Sequence, residues 1–184
     1  MPLFTYPKTQ HRRTLAPSGL KRYQSYKRYL QHEFSRVCVY CRHADCTNPF
    51  EFFTVDHYRP KGDARFAALI CDYENLYYCC HHCNSRKGSY WPLDEKKGPF
   101  VVVPCDHKMS DHLWFNNKTG EVEKRSTYGE FTIELLQLNE APLVQWRKAA
   151  VLTLNLYESE LAAAERTLKA GLPPTPRTHS LSTF

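Results

Sequence analysis

Two Cys-x-x-Cys pairs, Cys38-Val-Tyr-Cys41 and Cys80-His-His-Cys83, stand 38 residues apart in a chain of 184. Each pair sets two sulfurs on one side of a tight turn. Two such turns brought together offer four thiolates to one tetrahedral zinc and leave no position for water, so the site is structural. A compact zinc ribbon closes over about 15 to 20 residues; the longer separation here means that something substantial is inserted between the knuckles. A redox Cys-x-x-Cys is the competing reading, but the chain has two copies and no clear βαβ context. His43, His81 and His82 are alternative ligands, and Cys79 beside Cys80 leaves the register of the second knuckle open by one. Cys46, Cys71, Cys79 and Cys105 read as buried free thiols.

The first dozen residues, MPLFTYPKTQHR, hold no apolar stretch of the kind a secretory signal needs. The thiols are therefore expected to be reduced and the protein cytoplasmic. No stretch approaches the ~18 to 20 apolar residues of a membrane span. With 42% hydrophobic and 14% aromatic residues, the chain has enough apolar surface for a core, which excludes disorder as the default. The net charge of +6 hides an asymmetry. Lys8, Arg12, Arg13, Lys21, Arg22, Lys27, Arg28 and Arg36 crowd into residues 1–37 against one acid, Glu33. A basic segment interleaved with Tyr23, Tyr26 and Tyr29 suits a polyphosphate backbone, although a solvated helix face would have the same composition.

The insertion between the knuckles reads as strand, loop, strand, helix. Phe52-Phe53-Thr54-Val55 is a strand ending at Asp56-His57, and Tyr58 to Asp63 contains Pro60 and Gly62 and is a loop. Leu76-Tyr77-Tyr78 is a second strand, and Asn84-Ser85-Arg86-Lys87 begins a short helix that Gly88 and Pro92 end. Asp56 and Asn84 supply two hard oxygens of the kind Mg²⁺ prefers. The imidazole of His57 is the candidate general base for an attacking water. Lys87 or Arg86 would steady a neighbouring phosphate during in-line displacement at phosphorus.

With these residues in this order, the sequence resembles the HNH endonuclease family, in the subgroup whose ββα-metal fold is clamped by a four-cysteine zinc. The matching blocks are Cys38-Val-Tyr-Cys41, Val55-Asp-His-Tyr-Arg-Pro-Lys61, Asp72-Tyr-Glu-Asn-Leu76 and Cys80-His-His-Cys-Asn-Ser-Arg-Lys87. The resemblance implies an α+β chain with a ββα-metal core, Zn²⁺ on Cys38, Cys41, Cys80 and Cys83, and a catalytic Mg²⁺ or Mn²⁺ on Asp56 and Asn84. It makes His57 the base and gives Asn75 a supporting role through backbone hydrogen bonds. Asn84 stands where many members carry His, which moves the preferred catalytic ion from transition metals towards Mg²⁺ or Mn²⁺. Phosphate contacts fall to Lys87, Arg86, Arg59 and Lys61, joined by Lys21, Arg22, Lys27 and Arg28 of the basic segment. Phe34, the stretch Phe131–Asn139 and Arg147 look similar to flanks of small HNH effectors in anti-phage systems of the Septu type and certain retrons, which work beside an ATPase partner. DNA is the expected substrate; a non-catalytic zinc-dependent nucleic-acid binding module or an ATPase-partner subunit is the alternative.

Outside the insertion, four regions are expected. Residues 1–37 form a basic arm, extended to about residue 20, followed by an amphipathic helix over 21–34. Residues 38–92 hold the core. Residues 93–171 give a hairpin around Asn116–Gly120 and a long helix capped by Asn139, packed on the core. Residues 172–184 are a flexible tail. Ala150, Leu154, Tyr157, Leu161, Ala164 and Leu168 repeat at 4-3 spacing, a narrow stripe that packs within the chain or joins two copies in a homo-oligomer.

Overall fold

A two-stranded ribbon forms the centre of the fold. In this computed structural model, which describes residues 3–47 and 52–171, β1 (Phe53–His57) and β2 (Leu76–Cys80) pair antiparallel, with Phe53 opposite Cys80 and His57 opposite Leu76. Such a ribbon is marginal on its own and must be covered. Every residue of β2 is buried, and both α1 (Lys27–Glu33) and α2 (His81–Lys87) pack on the ribbon. The aromatic residues of this layer interleave: Phe34 stacks on Tyr77 at 5.7 Å and Phe53 on Tyr78 at 5.0 Å between ring centroids. Extended backbone at Cys80 starts α2 and Gly88, at φ +55°, ends it. The helix thus begins three residues earlier than its sequence suggests, and includes both Cys83 and Asn84.

The helix expected over 21–34 is split. A 3-10 turn spans Tyr23–Tyr26 and α1 follows. Tyr26, Leu30 and Phe34 are buried while Lys21, Arg22, Lys27 and Arg28 are exposed, the division that helical spacing anticipates. Glu33 breaks the pattern, because its side chain is fully buried. It accepts hydrogen bonds from His11 Nε2 at 2.7 Å, from the Thr14 and Leu15 amides at 2.9 Å each, and from Thr14 Oγ1 at 3.1 Å.

Those bonds change the picture of the N-terminal arm. Its backbone is irregular, as expected, but it runs over the body of the protein as a strap. Phe4 sits edge-on against Phe115 and Trp146, and Tyr6 is buried. Arg13 lies within 4.9 Å of the Phe34, Tyr73 and Tyr77 ring centroids and donates to Leu76 O at 2.8 Å.

The hairpin forms as β3 (Leu113–Phe115) and β4 (Val122–Lys124). It leads into α3 (Thr127–Leu136), a helix that is not among the expected elements. Ser126 Oγ caps α3 by accepting from the Gly129 amide at 3.0 Å. Asn139 does not cap the long helix as expected; its amide group pairs with both main-chain groups of Val122, at 2.8 and 2.9 Å. That helix, α4, runs Ala141–Gly171.

The chain divides into two compact units, Met1–Lys148 and Ala149–Phe184. In the second unit Tyr157, Leu161 and Leu168 of the apolar stripe are exposed among the described residues, so of the two expected roles packing within the chain is not seen at these positions. The tail expected at 172–184 lies outside the described residues. No helix among the described residues is long and apolar enough to cross a membrane.

Gly129 lies where a Cβ would come 1.9 Å from the main-chain oxygen of His112. Replacing it with Ala must displace the hairpin or α3, and should cost about 1 to 3 kcal/mol in urea unfolding. For Glu33, burial pushes the carboxyl up, but the hydrogen bonds from Thr14, Leu15 and His11 outweigh it and hold the group below its usual range. Its contribution to stability is therefore complete above the ordinary value near ~4.3 and is lost as pH falls through the lower folded value. Glu33→Gln should shrink the acid-side loss of stability and lower stability at neutral pH by roughly 1 to 3 kcal/mol, as read by unfolding across pH.

Candidate active site and cysteine metal centre

The first knuckle turns tightly: Arg42 N donates to Cys38 O at 3.1 Å, Cys38 N donates to His43 O at 2.8 Å, and Arg42 takes a φ of +62°. Val39 N then donates to Tyr78 O at 3.0 Å, which fastens the knuckle alongside β2. The second knuckle spans the end of β2 and the first turn of α2. As a result Cys38, Cys41, Cys80 and Cys83, all buried, place their sulfurs within 4.8 Å of one another.

A tetrahedral zinc with Zn–S bonds near 2.3 Å needs sulfurs about 3.8 Å apart, and Cys41 and Cys80 stand 3.7 Å apart. The four thiols therefore fit such an ion, and the cluster could hold a metal such as zinc. Burial pushes the Cys38 thiol up, but hydrogen bonds from the other three pull it well below its usual value. Cys80 and Cys83 move the opposite way, first through their hydrogen bonds with Cys38. Without a cation the set cannot ionise together.

The register left open in the sequence is settled by strand alternation. Cys79 points to the other face of β2 and is outside the cluster; it is buried as expected, but Cys46 is exposed and Cys71 and Cys105 are half-buried, so the burial expected of those three thiols does not hold. The alternative histidines are engaged elsewhere: His43 lies against Trp146 at 4.2 Å, His81 meets Ser85 Oγ, and His82 donates to Leu136 O at 3.1 Å. Around the cluster stand groups that spacing alone did not reveal. Tyr6 is wholly buried, and burial with Cys41 beside it pushes its phenol well up, so it is a neutral donor. Its hydroxyl has no hydrogen-bond partner among the described residues. Arg42 acts electrostatically on Cys38 and Cys41, and Arg147 on Cys41 and Cys83. Arg147 is 2% exposed and donates to Gly120 O and Leu138 O, both at 2.7 Å.

His57 ends β1, 7% exposed. Its Nε2 lies 3.0 Å from Ile70 O. A carbonyl can only accept, so Nε2 carries the proton and Nδ1 keeps a free lone pair. Burial lowers the basicity of the ring, Ile70 O and Asp56 oppose that, and Lys61 and Lys87 add to it. Asn75 is buried and links the segments behind this histidine. Its Nδ2 donates to Arg59 O at 3.0 Å and Leu69 O at 3.3 Å, its Oδ1 accepts from Arg59 N at 2.8 Å, and its own carbonyl accepts from Tyr58 N at 2.9 Å. Leu69 precedes the residue whose carbonyl holds His57, so Asn75 fixes that carbonyl at one remove.

Asp56 is 3% exposed, with Oδ1 accepting from Lys87 Nζ at 3.1 Å and Oδ2 from Tyr40 Oη at 2.5 Å. Asn84 lies three residues before Lys87 on α2, and residues so spaced share a helix face.

The expected phosphate contacts divide. Lys87 is 2% exposed and spends its ammonium on Asp56 and on His57 O at 2.7 Å, so it is no phosphate ligand in this arrangement. Arg86 is paired with Glu140. Arg59 stacks over Trp91 at 5.1 Å. Lys61 is exposed and donates to Tyr23 Oη at 3.0 Å, while the Tyr23 ring meets His57 edge-on at 4.6 Å. Lys21 and Arg22 precede Tyr23 directly, which brings the basic segment up to the His57 site. Sequence reasoning missed Tyr40, a residue inside the first knuckle whose hydroxyl no spacing rule assigns.

No family model matches the chain. It is similar to the Septu protein PtuB of Bacillus thuringiensis, with 26% identity over 130 residues that cover 70% of this chain and 47% of that protein. The match thus spans about half the length of the relative.

Cys38→Ser should abolish stoichiometric zinc and lower the melting temperature by 10 °C or more, roughly the effect of a few kcal/mol in a chain of this size. Zinc analysis and thermal unfolding of the purified variant check it.

Proposed function

We propose that the chain is a metal-dependent HNH endonuclease with a ββα-metal core, cutting phosphodiester bonds of nucleic acid and most readily DNA. The observation that carries this reading is the commitment of His57 Nε2 to Ile70 O, which leaves Nδ1 free at the end of β1. A buried imidazole held in one tautomer, with its other nitrogen unspent, is built to accept a proton. His57 Nδ1 takes the proton from a water as that water attacks phosphorus in line. Asn75 keeps the loop behind it rigid, so the lone pair is aimed without reorganisation. Asp56 and Asn84 would hold the catalytic Mg²⁺ or Mn²⁺. Such an ion, when bound, offsets charge on the non-bridging and leaving 3′ oxygens. Lys21, Arg22, Lys27 and Arg28, exposed beside Tyr23, together with Lys61, grip the flanking phosphates and read backbone more than base edges.

The likeness to a Septu protein supports a place in anti-phage defence among partner proteins, and the resemblance of the flanks makes an ATPase that governs cutting the expected partner. A binding module without catalysis would have no use for an oriented base adjacent to a carboxylate.

Purified protein should relax or linearise supercoiled plasmid with Mg²⁺ or Mn²⁺, and His57→Ala at matched zinc content should lose at least 100-fold of that rate, the lower range for a general base. Equal cutting by both proteins overturns the assignment of the base. Changing Lys21, Arg22, Lys27 and Arg28 to Gln should weaken DNA binding and flatten its dependence on salt, measured by fluorescence anisotropy at several salt concentrations.

A further inference from the structure

Asp56 is held from two directions, by donors mounted on the two halves of the cysteine cluster. Tyr40 lies within the first knuckle, between Cys38 and Cys41. Its side chain is fully buried, and its hydroxyl donates to Asp56 Oδ2. Lys87 stands on α2, one turn beyond Cys83, and its ammonium donates to Asp56 Oδ1 and to the carbonyl of His57. A buried hydroxyl and a buried ammonium are each costly unless partnered. Here one carboxylate partners both, and the pair of donors fixes its rotation while each oxygen keeps a second lone pair.

The placement is specific to the two knuckles. If the first knuckle shifts, the Tyr40 hydroxyl leaves Oδ2; if the second shifts, α2 carries Lys87 away from Oδ1. Resting on the nuclease reading above, we propose that Tyr40 and Lys87 are positioning residues that aim the Asp56 carboxylate at the catalytic divalent ion, and that the cysteine cluster keeps them in register. Removing an outer partner of a metal-binding carboxylate typically costs about 10- to 100-fold in metal affinity. The cysteine cluster thus serves more than folding: it sets the affinity of the second metal site.

The test uses the full chain loaded with zinc. Mn²⁺ binding is followed by electron paramagnetic resonance, with zinc content, melting temperature and Mn²⁺ titration of plasmid cleavage measured alongside. Tyr40→Phe removes one oxygen and should keep stoichiometric zinc, yet weaken Mn²⁺ binding by about 10-fold or more. Its cleavage deficit should shrink as Mn²⁺ is raised, a shift in half-saturation that general loss of structure would not produce. Lys87→Met should act in the same direction, and serves as the test if Tyr40→Phe does not fold. Wild-type Mn²⁺ affinity in a folded, zinc-loaded Tyr40→Phe or Lys87→Met overturns the proposal and leaves the nuclease reading standing. A wild-type protein that neither binds Mn²⁺ nor cuts DNA removes that reading, and the clamp on Asp56 with it.

Discussion

The approach of four thiols to within 4.8 Å of one another organises this chain, because every other part of the candidate site hangs from it. Two knuckles far apart in sequence meet, and the segment between them is forced to leave and return. The return path is the β1–β2 ribbon, whose ends then have defined positions. Asp56 and His57 leave β1 at one end, while β2 delivers Cys80 at the other and α2 starts at once. A two-stranded ribbon would not hold such an arrangement alone. It holds because the knuckle is bonded to β2 through Val39, and because α1 and α2 exclude water from it.

A second constraint acts from the N-terminal side. Glu33 gathers His11, Thr14 and Leu15, and Arg13 enters a cluster of three aromatic rings. The strap, with no regular secondary structure of its own, is tied down by that buried carboxylate and guanidinium, by Phe4 and Tyr6, and by main-chain bonds from His11 N to Pro104 O and from Ser110 N to Pro7 O. The basic segment is thereby divided by role. Arg13 serves the core, and Lys21, Arg22, Lys27 and Arg28 are left to solvent. The turn at Tyr23, which meets His57, joins the exposed group to the candidate base.

Much of this was legible in the sequence, and the misses have physical reasons. The cysteine spacing and the strand ends follow from patterns that chain chemistry repeats, whereas the supporting role of Asn75 comes only from the family resemblance. The choice between Cys79 and Cys80 did not, since adjacent strand residues face opposite ways and only the pairing with the first knuckle decides between them. Lys87 was expected at phosphate because lysines are ordinarily solvated; the carboxylate that buries it lies 31 residues away in sequence. The strap carries no periodicity, so its order was invisible without Glu33 and the aromatic rings it meets. Gly129 and the β-branched Thr127, Thr132 and Ile133 blur the helical signal of α3. The stripe on α4 was read correctly as a pattern, but a pattern does not say what will cover it.

Arg42 and Arg147 give the cysteine cluster a property that its four sulfurs lack. Four thiolates around a divalent ion sum to two negative charges, and these two guanidinium groups, acting on the cluster from Cys38 and Cys41 on one hand and Cys41 and Cys83 on the other, supply two positive ones. A trivalent ion would leave an excess of positive charge in a buried site, and a monovalent ion an excess of negative charge. With protonated thiols Arg42 and Arg147 would lose that counter-charge, and Arg147, which has almost no solvent to receive its charge, would keep Glu121 as an acid acting on it. A filling of the cluster that carries net negative charge, as four thiolates around a divalent ion do, therefore suits these surroundings.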